Sequence, residues 1–283
     1  MRLLLFRSLW TNGFDLAAAL SDCRSGDFEG VEGPVPAGML ARREYSALLG
    51  GSGTPFIAEI ATGGGYVPVE ASPEHHLDDF RRQAEAAMEC SPLFFNVLGG
   101  RDDWPMGQSV EFFGRLHAFA AKLGVVASIE THRSRPTYNP WATRELLAQL
   151  PELQLTCDFS HWCCVCERFV LDAEAELLAL CAARAHHVHA RVGYEQGPQV
   201  PHPAAPEYRA ALEAHERWWD AVWRARGNRD YTTMTPEFGP DGYLHNQPFT
   251  ESPVADLGMI NRWMGSRLRD RCDRLAASGP MHD

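Results

Sequence analysis

Four apolar runs in this chain each end at or near a side chain that divalent metals favour. Glu130 lies in VVASIETH, Asp158 in LQLTCDFSH, His189 in HHVHARVG and Glu237 in YTTMTPEFG. The intervals of 28, 31 and 48 residues each leave room for one strand and one helix. Three carboxylates and one imidazole gathered at one point make a divalent-metal site first and an acid/base set second. Oxygen donors with a single imidazole suit one hard to borderline ion, Mn2+, Mg2+ or Co2+, with Zn2+ a further option. Any one of the four, taken alone, reads more simply as a loop-mouth residue capping the next helix. Repetition on successive segments is what favours a site.

Other polar residues cluster near the same positions. His161 stands three residues after Asp158, where its imidazole could reach the metal or a substrate hydroxyl; capping or surface duty is the alternative. His132 and Arg191 each lie two residues beyond an expected ligand, so strand periodicity keeps them on the same side. His187 shares that side but sits deeper, where a satisfied core histidine is expected. Glu32, in Gly30-Val31-Glu32-Gly33, ends the second strand and reads equally as a substrate contact or a helix cap. Trp162, Trp104 and Phe238 could wall a sugar ring, with packing as their default. The run Gly63-Gly64-Gly65 lacks the lysine and hydroxyl of a phosphate loop and is weak evidence for one. The cluster Cys163-Cys164-Val165-Cys166 has no second pair to complete a zinc site, so its thiols read as small apolar residues. Lys122, the only lysine, falls near a helix end on the wrong side for a pocket, which argues against Schiff-base chemistry.

These side chains meet only if the intervening elements bring the strand ends to one face. Strand-like runs recur near 3–9, 28–32, 55–61, 92–98, 125–130, 153–158, 186–192 and 231–237. Helical spacing fills the gaps: Leu77, Phe80, Ala84, Ala87 and Met88 in one, Gln108 through Leu123 with Gly124 as a stop in another. Further helices are expected over Asp172–Arg184 and from about Pro253 to Leu275. Strict alternation of eight pairs predicts an α/β chain folded as a single (β/α)8 TIM barrel over residues 1–283, with the site at the C-terminal ends of the strands. The long connections, such as 131–140, 193–206 and 239–252, all follow expected strands.

Composition narrows the partners. A formal charge of −11 argues against nucleic acid, whose binding needs a basic face. No stretch reaches the ~18–20 apolar residues of a membrane span, and the apolar start is interrupted by Arg7, too short for an export signal. The expectation is a cytoplasmic protein acting on a small molecule. Trp218, Trp219 and Trp223 on one helix leave two readings open, a homo-oligomer interface or packing within the monomer.

Glu130 in SIETH, the step Asp158-Phe159-Ser160-His161, His189 in HVHAR and Glu237 in TPEFG together resemble the xylose-isomerase-like barrel superfamily of sugar (phosphate) isomerases and epimerases. The resemblance covers essentially the whole chain. In the ketose 3-epimerases of that superfamily, Glu, Asp, His and Glu on strands five to eight bind one divalent metal, and the two glutamates also move protons. The resemblance therefore implies that Glu130, Asp158, His189 and Glu237 are metal ligands, that Glu130 and Glu237 are the catalytic pair, and that His161 contacts substrate. Arg191 stands near another polar substrate-binding position of those enzymes. The implied activity is metal-dependent isomerisation or epimerisation of a sugar or sugar phosphate, by proton transfer next to a carbonyl through a metal-stabilised enediolate. The alternatives are a dehydratase or lyase on a polyol or keto-sugar, an endonuclease-IV-type phosphodiesterase, and a barrel that only binds a sugar. Two departures matter. The chain lacks the lysine that two-metal xylose isomerases keep near their metals. Its third and fourth strands, ending near Glu59-Ile60-Ala61 and Asn96-Val97-Leu98, lack the histidines of the zinc-cluster endonucleases.

Overall fold

Every one of the eight apolar runs is a parallel strand in the computed structural model, which describes residues 2–70, 72–227, 229–240 and 242–277. The strands are β1 (Arg2–Ser8), β2 (Gly30–Gly33), β3 (Phe56–Ala61), β4 (Phe95–Leu98), β5 (Ala127–Glu130), β6 (Gln154–Cys157), β7 (Ala185–His189) and β8 (Tyr231–Thr235). They pair in sequence order, and β8 closes on β1 with Tyr231 opposite Arg2 and Met234 opposite Leu5. The helices are α1 (Leu16–Arg24), α2 (Met39–Ser52), α3 (Pro73–Met88), α4 (Met106–Lys122), α5 (Pro140–Gln149), α6 (Ser160–Cys166), α7 (Ala175–Arg184), α8 (Arg209–Arg226) and α9 (Leu257–Ala277).

Strand alternation divides the core in two. Leu5, Val31, Ala58, Ile60, Val97, Ile129, Leu155, Val188 and Met234 belong to the large apolar cluster shared with the helices. Residues of the opposite parity point into the barrel. At its floor Leu4, Phe6, Ile57 and Phe94 form a separate small cluster. One step higher the interior turns polar, with Ser8, Glu32, Glu59, Asn96, Ser128, Thr156 and His187 all buried. An apolar floor under a polar layer leaves a single mouth for chemistry.

Local signals set most boundaries. Asn139 accepts from the Ala142 amide at 2.9 Å and Pro140 follows it, starting α5. α4 ends at Lys122, two residues before its Gly124 stop and at the helix end away from the strand tips, and α9 spans Leu257–Ala277 where about Pro253 to Leu275 was expected. Two differences stand out. The helix expected from Asp172 begins at Ala175, because Val170–Asp172 forms a 3-10 turn. A short extra helix, α6, precedes it and carries His161, Trp162 and the cysteine cluster. All eight cysteines are free. Trp218, Trp219 and Trp223 are buried within the monomer, so the packing reading holds and they form no exposed interface. Among the described residues, no helix is long and apolar enough to cross a membrane.

Candidate metal centre and cavity

Shared inward parity brings the four expected ligands together. Glu130 ends β5, Asp158 follows β6, His189 ends β7, and Glu237 stands two residues past β8. All four are buried, and one ligand atom from each lies within 4.8 Å of the others. His189 is central: its Nδ1 is 2.9 Å from Glu237 Oε2 and 3.7 Å from Glu130 Oε2, yet it makes no hydrogen bond. A buried nitrogen without a partner, ringed by carboxylate oxygens, is what a cation-binding position offers. The donor set fits a divalent ion of the kind the sequence suggested.

The other face of His189 is fixed from below. Its Nε2 is 3.0 Å from Glu32 Oε1, while Glu32 Oε2 accepts from Thr235 Oγ1 and lies 3.3 Å from His187 Nε2. His187 Nδ1 in turn is 2.8 Å from Thr233 Oγ1, which makes it the satisfied core histidine expected. Burial opposes ionisation of Glu32, but the imidazoles of His189 and His187 hold its pKa well below the usual carboxylate range. Burial likewise opposes the His189 imidazolium; the carboxylates of Glu237, Glu32 and Glu130 outweigh it and hold the ring well above its ordinary pKa. Asn96 on β4 donates to Glu130 Oε2 at 2.9 Å. Burial raises the pKa of Glu130, but His189 and that amide leave it lowered to about 2, whereas burial leaves Glu237 raised despite the same imidazole.

Arg191 is almost fully buried and ties the wall together. Its guanidinium pairs with Asp158 Oδ2, donates to His161 Nε2 at 2.9 Å and lies 3.6 Å from Glu237. It also lies over the rings of Tyr243, 4.6 Å from the centroid, and Trp10. Asp158 has a second duty, since its Oδ1 accepts from the Ser160 amide at 3.0 Å and so starts α6. The tight passage of the segment after β7 past α6 requires Gly193, where a Cβ would fall 2.5 Å from the Ser160 carbonyl oxygen. The rings of His132 and His161 lie against each other, tilted by 51° with centroids 4.0 Å apart. Burial, against the pull of Glu130, lowers His132 to about 3; burial, with the Arg191 charge, puts His161 well below its ordinary value, so both rings are neutral.

Above the quartet opens a cavity of about 320 Å³, lined by Trp10, Glu59, Tyr66, Leu98, Glu130, His132, Arg133, Arg191, Glu237, Gly242 and Tyr243. Its size suits a small polyhydroxy compound. Of the expected substrate contacts, His132 and Arg191 reach this wall and His161 stands behind Arg191. Glu32 and Trp162 do not reach it. Glu32 is consumed beneath His189, and Trp162 is wholly buried, its indole N–H donating to the Thr137 carbonyl at 2.9 Å. Phe238 is likewise buried in the core, and Trp104 packs edge-on against His76 and Phe112. The aromatic wall is Trp10, Tyr66 and Tyr243 instead. Glu59 and Asn96 went unassigned from the sequence; their signal was a lone polar side chain of inward parity in FIAEIA and FNVL.

No protein-family model matches the chain, nor does any curated protein sequence. Solved structures do. A D-tagatose 3-epimerase-like protein is 10% identical, with 97% of this chain and 99% of that one covered at a TM-score of 0.65. The probable 3-DHS dehydratase AsbF from Bacillus anthracis is 16% identical over 95% and 98% of the two chains, at 0.61. A xylose isomerase-like TIM barrel protein from Mycobacterium smegmatis, in complex with magnesium, is 14% identical over 90% and 88%, at 0.58. The chain therefore has the fold of the xylose isomerase-like TIM barrels.

Proposed function

We propose that this protein is a divalent-metal-dependent enzyme that isomerises or epimerises a sugar or sugar phosphate by moving a proton next to a carbonyl. One observation carries the reading: Glu130 and Glu237 each belong to the buried quartet and also line the cavity. They rise from β5 and from beyond β8, three strands apart around the barrel, so they approach a bound substrate from different sides. That is the placement needed for one carboxylate to take a proton and the other to return one.

Glu130, Asp158, His189 and Glu237 would hold the ion, which when bound acts as a Lewis acid on a carbonyl and its neighbouring hydroxyl. The chain's own residues do the rest. One glutamate takes the proton from the carbon beside the carbonyl. The other delivers a proton to the opposite face, for epimerisation, or to the adjacent position, for isomerisation. Arg191 donates hydrogen bonds and neutral His132 offers a ring nitrogen to substrate hydroxyls. Trp10, Leu98 and Tyr243 exclude water, which strengthens every electrostatic contact beneath them. The likeness in fold to a D-tagatose 3-epimerase-like protein and to a magnesium-bound barrel supports this reading.

A dehydratase is the second reading, favoured by a third cavity carboxyl, Glu59, that could protonate a departing hydroxyl, and by the fold shared with AsbF. Both readings are tested together. Metal content is measured by mass spectrometry after loading with Mn2+ or Zn2+, then ketoses are screened for solvent deuterium uptake. One retained ion per chain with deuterium in the product supports the isomerase. Loss of water from the product selects the dehydratase, and full activity in excess EDTA refutes both.

A further inference from the structure

The triple glycine and one arginine outside the quartet share a task. Gly63, Gly64 and Gly65 have φ of 81°, 92° and 151°, a path that side chains rarely follow, and a Cβ on Gly63 would sit 2.3 Å from the His76 ring. This turn exposes its carbonyls toward Arg135, which crosses from the β5–α5 loop and is 1% exposed. Arg135 Nη1 donates to the carbonyls of Thr62 and Gly100, each at 3.0 Å; Nη2 donates to those of Gly65 at 2.6 Å and Tyr66 at 2.9 Å. Among the described residues no carboxylate pairs with it. Four backbone oxygens from two neighbouring loops stand in place of a counter-ion.

The last of those carbonyls belongs to Tyr66, whose side chain enters the cavity beside Glu59. Glu59 is buried, and its Oε1 has no partner. β3, which carries Glu59, lies four strands from β7, so this pair faces Arg191 across the mouth. Burial and the nearby Glu237 push the Glu59 carboxyl well above its usual pKa, toward the neutral form.

We infer that Tyr66 and Glu59 form a substrate-contact pair for a neutral hydroxyl end of the ligand, and that Arg135 is the positioning residue that holds Tyr66 there through the carbonyls of residues 65 and 66. Among the described residues no cation forms an ion pair with this carboxyl, so a phosphate at this end would have no counter-charge there and the pair favours a polyol terminus. The identity of the ligand rests on the isomerase reading; the clamp does not.

The test is hydrogen exchange by mass spectrometry on the full chain. In ligand-free protein, Arg135→Lys speeds exchange in the 62–70 peptide at least about tenfold, as expected for losing a charged hydrogen bond, while peptides around Glu130 and His189 keep their rates. Unchanged rates at 62–70, or equal acceleration everywhere, overturn the clamp. In the Mn2+-loaded protein, D-fructose or D-xylulose slows exchange at 62–70 and around His132 and Arg191. Tyr66→Phe keeps every backbone bond of the clamp and abolishes only the protection at 62–70. Protection around His132 and Arg191 without any at 62–70 overturns the contact pair alone. No protection anywhere overturns the pair together with the isomerase reading, leaving the clamp to the ligand-free result.

Discussion

Glu32→Gln isolates the bond that prepares His189 for a metal. Three donors converge on the two oxygens of Glu32: His189 Nε2 on one, Thr235 Oγ1 and His187 Nε2 on the other. Glutamine keeps one acceptor oxygen. Its NH2 group is accommodated most cheaply toward Thr235 and His187, because a hydroxyl rotates and His187 can present a bare nitrogen while its Nδ1 serves Thr233. The amide oxygen then still receives His189 Nε2–H. What is lost is the charge. A charge-assisted bond contributes ~1.5–3 kcal/mol and a neutral one ~0.5–1.5, so the change costs about 1–2 kcal/mol. That corresponds to metal affinity weakened about 5–30-fold, toward the low end of what losing an orienting partner costs. Competition against a fluorescent chelator at pH 7 measures it, with circular dichroism confirming the fold. Affinity within twofold of the wild type, in a folded variant, would refute the role given to Glu32.

Three further outcomes follow from the same geometry. Glu130→Gln and Glu237→Gln should each lower turnover by about 10²–10⁴-fold in a solvent-deuterium assay, as for loss of a general acid or base. Arg191→Met strips Asp158 of its buried counter-charge and should cost about 3–5 kcal/mol in urea unfolding of the metal-free protein; a change under 1 kcal/mol, well below that ~3–5 range, would show the pair to be dispensable. His215 is buried, with Nδ1 2.8 Å from the Ala211 carbonyl and Nε2 accepting from Gly193 N–H, and burial lowers it to about 4. The unfolded chain takes up that proton near pH ~6.5, so this residue's contribution to stability is intact above that pH and is lost as pH falls toward 4. His215→Gln should therefore flatten the stability difference between pH 7 and pH 5 by about 2 kcal/mol, read from urea melts at both values.

Much of the barrel was legible because both strand faces are buried, by helices outside and by the floor within, which makes apolar runs long and their ends clear. The quartet was legible for a related reason: metal-seeking side chains of inward parity interrupt four successive runs. What escaped reading has long-range or backbone partners. Glu32 meets His189 across 157 positions, and nothing near Glu32 announces that imidazole. Arg135 binds four carbonyls, groups every residue carries, so no residue type marks its partners. Trp162 was misplaced because α6 is a short extra helix between β6 and α7 that directs it toward Phe159 and the Thr137 carbonyl rather than toward the mouth. Asp158 shows that the two readings of a strand-end acid need not compete, since it starts α6 with one oxygen and faces the site with the other.

The two-residue parity inside the barrel also governs how this chain can change length. A single-residue insertion in β5 would carry Glu130 to the helix side and bring Ile129 or Thr131 to the mouth, exchanging ligand for packing group at one stroke. The same holds for β6, β7 and β8. Length variation in the strands is thus restricted to even steps, each of which raises or lowers the chemistry by one layer, while the long segments 193–206 and 239–252 are free of that arithmetic. Variation in the ligand accepted therefore has its freest route through those two mouth segments, with the strand registers beneath them held constant.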